Sequence, residues 1–139
     1  PGRAAAHLPA EALEALLAAA GAGVDVPLMS VELRQLGGAV GRRTSGAGAL
    51  GSLAAEFALY AVGVVPDPAM RGPVSDAVRQ VLTAVAPWRA ARDYPNFRET
   101  SDDPGAFHDQ ATLARLRAVK QSYDPAGLFR ANHPVGAIR

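Results

Sequence analysis

The sequence predicts an α+β fold, an antiparallel sheet covered by helices on one face. Three observations point there. Apolar residues recur at three- and four-residue steps in three stretches, starting at Pro9, at Gly72 and just before Leu113. Two other stretches, 24–36 and 53–65, alternate or run continuously apolar, as strands do. Gly and Pro clusters separate these stretches. With 139 residues, 49% of them hydrophobic, the chain is long enough to build a core of its own.

Residues 1–8 read as a loose lead-in, with His7 as an exposed, idle histidine. The first helix follows Pro9, places Leu13, Leu16 and Leu17 on one face, and ends at Gly21-Ala22-Gly23. Residues 24–36 read as a strand. Val31, Leu33 and Gln35 point one way, and Glu32, Arg34 and Leu36 the other. Gly37-Gly38 then supplies a turn with positive φ or a close backbone approach. A phosphate cradle needs a fuller glycine pattern and a following helix, so a strand-ending turn is the default. Residues 41–51, rich in Gly, Ser, Thr and Arg, form a loop.

The stretch 53–65 predicts a second strand with both faces mostly apolar, hence central in its sheet. Tyr60 is the one titratable side chain between Phe57 and Val65. Pro66-Asp67-Pro68 breaks this strand, and Gly72-Pro73 opens a helix with proline in its first turn. Val74, Val78, Val81, Leu82 and Val85 give that helix a buried face. Pro87 ends it, and Trp88 anchors its end.

The last third begins with Tyr94-Pro95-Asn96-Phe97, read as a short edge strand. An acidic loop with Asp102, Asp103 and Asp109 precedes a helix whose second half carries Arg115, Arg117 and Lys120, a charge order that suits the helix dipole. Leu113, Leu116 and Val119 share a face expected to be buried. Pro125 stops the helix near Tyr123, and Asp124-Pro125-Ala126-Gly127 is a type I turn. Leu128 and Phe129 are expected to re-enter an apolar environment.

These residues in this order (Tyr-x-Asn-Phe, acidic loop, Arg-Leu-Arg-x-Val-Lys, Tyr-Asp-Pro, Leu-Phe-Arg) resemble the C-terminus of berberine-bridge-enzyme-like proteins, FAD-linked oxidoreductases of the vanillyl-alcohol-oxidase superfamily. Residues 31–39, ending in Gly37-Gly38, are similar to a strand of that family's substrate domain. The resemblance implies a two-domain flavoprotein in which residues 1–92 are a substrate-domain remainder and 93–139 a berberine-bridge-like C-terminal segment. It implies hydride transfer from an alcohol, sugar or secondary-metabolite hydroxyl to FAD, with FAD bound mainly by a missing N-terminal domain. It implies that Tyr94 and Tyr60 are catalytic candidates and that Asn96 contacts the cofactor. The partners implied are the FAD-binding domain of the same parent protein and a small-molecule substrate; a homo-oligomer is allowed. Relatives carry an aromatic-x-His-Arg-like step where this chain has Ala49-Leu50-Gly51, and tyrosine where it has Phe97. The start at Pro1, without an initiator Met, suits a chain cut from something longer.

Beside this stand plainer readings. Tyr60 and Tyr94 also read as packed tyrosines with locally bonded hydroxyls. A phenol titrates near ~10 and needs an activating neighbour to act as a base at neutral pH, and none can be read from the sequence. Asp102-Asp103 reads as helix-capping charge. His7, His108 and His133 do not pair at metal-ligand spacing, so no metal is expected. With no cysteine there is no disulfide or thiolate chemistry. A net charge of +1 from 14 basic and 13 acidic side chains argues against nucleic acid. No apolar run spans a bilayer, so no membrane partner is expected, and a soluble protein is, with the cytoplasm favoured. The alternative function is a non-enzymatic α+β module that pairs through a sheet edge.

Overall fold

Strand pairing starts at the second residue. The computed structural model describes residues 1–100 and 104–136. Gly2–Ala5 is β1, Ser30–Gln35 is β2 and Phe57–Val62 is β3. They form one antiparallel sheet in the order β1-β3-β2. The lead-in is thus partly an edge strand, a correction to the sequence reading. Its four residues carry no β-branched side chain and are too few to display a period of two. The outer edge of β1 is covered: Ala90 N–H donates to Ala4 O at 2.9 Å and Ala6 N–H to Trp88 O at 3.0 Å.

β3 is central, as its two apolar faces predict, and Ala58, Leu59 and Ala61 are buried. Register fixes the faces. Val31 opposes Ala61 and Leu33 opposes Leu59 on one side; Glu32 opposes Tyr60 and Arg34 opposes Ala58 on the other. Both strands are shorter than the sequence suggested, because residues 24–29 and 53–56 have no ladder partner over most of their length. Gly37 and Gly38 end β2 with φ of 153° and 52°, the positive values that glycine tolerates without strain.

Helices α1 (Ala10–Ala20) and α2 (Arg71–Ala84) pack on the face carrying Leu59 and Ala61. α2 buries Val74, Val78 and Val81, and Val85 follows its end, on the predicted stripe. α1 departs from expectation. Its buried residues are Ala12, Leu16 and Ala19, whereas Leu13 and Leu17 are exposed. The buried stripe runs at four- and three-residue steps: Ala12 packs with Ala5 and Leu8, Leu16 and Ala19 pack with Val78 and Val81 of α2, and Leu13 and Leu17 fall outside it. Asp67 caps the 3₁₀ turn Pro68–Met70 through Ala69 N–H at 2.7 Å, and Trp88 seals the far end of α2 against the core.

The third helix, α3 (Gln110–Tyr123), does not join the other two on the sheet. It packs mainly on the 3₁₀ turn Pro104–Ala106 and buries only Leu113, while Val119 is 50% exposed. Two helices, not three, therefore cover the sheet. Asp109 caps α3 by accepting from Thr112 N–H at 2.7 Å, which holds its carboxyl below the usual range. Asp102 and Asp103 lie outside the described residues.

Candidate functional site

The sheet face opposite α1 and α2 carries the sequence-predicted residues. Tyr60 rises from the centre of β3. The Tyr94 segment is not an edge strand: Pro95–Phe97 is a 3₁₀ turn, started by the fixed φ of Pro95 and closed by Phe97 N–H to Tyr94 O at 3.0 Å. The turn lays Phe97 on the open face. Its ring centroid is 5.0 Å from that of Tyr60 and 5.2 Å from that of Tyr94, both tilted. Gly2 sits beneath, where a Cβ would come within 2.9 Å of Phe97 Cβ.

Tyr60, Tyr94 and Asn96 are therefore brought together, 34 residues of chain notwithstanding. Asn96 Nδ2 donates to Tyr94 Oη at 2.9 Å. That bond occupies one acceptor site of the phenol oxygen and leaves the phenol hydrogen free to meet another group. Tyr60 and Tyr94 are half-buried and Asn96 is exposed.

Sequence reading did not single out two further members. Arg34 lies over the Phe97 ring, its Cζ 5.1 Å from the centroid, and is bonded to both Glu32 carboxylate oxygens through Nε and Nη2. Hydrogen bonding to Arg34 holds the Glu32 carboxyl below its usual range, and the same contact raises Arg34. Part of the signal was present, since Glu32 and Arg34 alternate onto the same strand face, whereas the opposition of Tyr60 to Glu32 comes only from the strand register. Beside the cluster, a hollow of about 420 Å³ is walled by Val40, Leu50, Leu53, Tyr94 and Asn96.

The Tyr94 turn is tied down from both ends. Asp93, just before it, is fully buried. Its Oδ2 lies 2.5 Å from Arg3 Nη1, 3.1 Å from Arg89 Nη2 and 3.6 Å from Arg98 Nη1, and its Oδ1 accepts from Ala4 N–H at 3.2 Å. Asp93 N–H donates to Ala106 O at 2.8 Å. From the other side, His133 Nε2–H donates to Pro95 O at 3.0 Å, and its ring packs on buried Phe107 at 4.6 Å. His7 is exposed as expected but not idle: its Nδ1 is 3.0 Å from Glu56 Oε2. Among the described residues, no group of histidines and carboxylates is placed to hold a metal ion, and no helix is long and apolar enough to cross a membrane.

The turn at Asp124 forms as predicted, with Gly127 N–H donating to Asp124 O at 3.1 Å. Leu128 and Phe129 do not re-enter an apolar environment. They are 79% and 76% exposed, and Tyr123 beside them is 84% exposed. Asp124 holds them out by accepting from the N–H groups of both Leu128 and Phe129. Backbone bonding, not apolar burial, fixes this loop.

Residues 93–136, the unit that runs from Asp93 to the tail closing on Pro95, match the family model described as berberine and berberine-like. The match covers about a third of the chain. No curated protein matches it.

Proposed function

We propose, from the premise that this chain carries a berberine-like segment of an FAD-linked oxidoreductase family, that it is the substrate-side part of a flavoprotein oxidising an alcohol, sugar or secondary-metabolite hydroxyl. The observation that carries the reading is the gathering of Tyr60, Tyr94 and Asn96 around Phe97 on the helix-free face. A planar, partly polar ring fits there: the aromatic side chains offer flat apolar area, and Asn96 and Tyr94 place polar atoms at its rim. When bound, FAD would supply the acceptor for one hydride, which carries both electrons of the oxidation.

This chain's own residues position and deprotonate. Tyr94, its oxygen fixed by the Asn96 amide, bonds the substrate hydroxyl, and we assign it the hydroxyl proton. As the phenolate it would accept that proton, forming its own O–H as the substrate O–H breaks and the hydride leaves the carbinol carbon. Tyr60 contacts the substrate from the sheet. The Asn96 carbonyl oxygen is the group that would meet polar atoms of the cofactor. The exposed Tyr123, Leu128 and Phe129 suit contact with the FAD-binding domain of the same parent protein, so the 139 residues alone are expected to hold FAD weakly and to be inactive.

The test is the visible spectrum of the protein expressed from its complete reading frame with FAD supplied. A flavin band supports the proposal, and a folded product without one overturns it. A second reading rests on β2, whose outer edge pairs with no strand among the described residues. On that reading the chain is a sheet-pairing module, and light scattering after gel filtration tests it, a strictly monomeric, stable chain arguing against sheet pairing.

A further inference from the structure

On the opposite, helix-covered side of the sheet, a hollow of about 320 Å³ lies between β1, α2 and the segment 86–100. Its floor is apolar, with Leu59, Val78, Leu82 and Val85, and four arginines, Arg3, Arg79, Arg89 and Arg98, reach it from three sides. No acidic side chain lines it among the described residues.

The charge arrangement is asymmetric. Asp93, the shared partner of Arg3, Arg89 and Arg98, is 0% exposed and stands behind them, so it cannot meet anything in the hollow. The guanidinium groups stand in front, with Arg3 29% and Arg89 42% exposed. Arg3 offers Asp93 only one nitrogen, Nη1, and Arg89 only Nη2. Each guanidinium has five N–H donors in a fixed fork, so both retain donors in a geometry suited to a carboxylate. Asp93 pre-orders the arginines, which reduces the side-chain entropy lost on binding. Arg79 pairs with Asp76 on the rim at 2.7 Å.

We propose that this hollow binds an organic anion, a carboxylate on an apolar body, with Arg3 and Arg89 gripping the carboxylate and Leu59, Val78, Leu82 and Val85 covering the rest. It is separate from the Tyr94 cluster, because Leu59 and Tyr60 point to opposite faces of β3.

The experiment is calorimetric titration of the full chain with octanoate, against octanol and inorganic phosphate as probes. Octanoate is expected to bind at one site and the other two much more weakly. Arg89→Gln should lower the affinity about tenfold or more. Arg79→Gln, at an exposed position where folding is not in question, should lower it several-fold, and it decides the matter if the first variant does not fold. Tyr94→Phe should leave binding unchanged. Octanoate binding no tighter than octanol, equal binding by both arginine variants, or loss of binding in Tyr94→Phe overturns the proposal.

Discussion

Arg3 Nη1 lies 2.5 Å from Asp93 Oδ2, so the first strand is locked to the start of the berberine-like segment across ninety residues of sequence. The carboxylate is fully buried and also takes Arg89, Arg98 and the Ala4 amide. Asp93→Ala would leave those donors around an uncharged void. Breaking a buried pair from one side costs about 3–5 kcal/mol, and the partial exposure of Arg3 and Arg89 places this case near the lower figure. Urea unfolding followed by circular dichroism measures it. A loss under about 1 kcal/mol would mean that the cluster does not hold β1 in place.

Phe97 is the residue on which the open-face cluster depends. It contacts Tyr60, Tyr94 and Arg34, yet is only half-buried. Phe97→Ala should therefore cost less than a core phenylalanine, about 1–3 kcal/mol. Phe97→Tyr adds only a hydroxyl and should be near neutral. Thermal unfolding of the two variants separates a packing role from one that needs the bare ring.

Tyr94→Phe removes one hydroxyl and its bond from Asn96 at a partly exposed site. Stability should change by about 1 kcal/mol or less. On the proposed function, with the protein expressed from its complete reading frame and FAD supplied, the rate of anaerobic flavin reduction by substrate should fall about a hundredfold or more if Tyr94 takes the hydroxyl proton. Stopped-flow absorbance reads that rate. An unchanged rate with Tyr94→Phe, together with a slowed one in Tyr60→Phe, would transfer the role to Tyr60.

What was legible in the sequence follows the range of the interactions. The stripe from Val74 to Val85 and the apolar strand around Leu59 are periodic over many residues, and both are where the pattern places them. Tyr94 and Asn96 were singled out through neighbours in sequence. β1 and Asp93 were not, because pairing of Ala4 with Ala58 and of Arg3 with Asp93 depends on residues far apart in the chain and leaves no local period. The Leu128-Phe129 pair was misjudged for the converse reason. Apolar type suggested burial, while a single carboxylate's backbone bonds decide where the loop sits.

That carboxylate makes the loop sensitive to acid. Asp124 is held below its ordinary value near 3.8 first by its hydrogen bond from Lys120 and then by the Leu128 and Phe129 amides, with burial opposing. Lys120 also donates to Phe129 O at 2.6 Å, so protonating Asp124 weakens both ends of the loop. A carboxyl with a depressed folded pKa contributes stability that is fully present above its unfolded value and is lost as pH falls through its folded one. The Tm advantage of the parent over Asp124→Asn should thus be constant at neutral pH and shrink toward zero as pH drops from about 5 to about 2. The same titration, followed by the amide shifts of Leu128 and Phe129, should show the two moving together in the parent. A Tm difference that persists unchanged in acid would place the hold on the loop in the Asp-Pro-x-Gly turn itself rather than in the charge of Asp124.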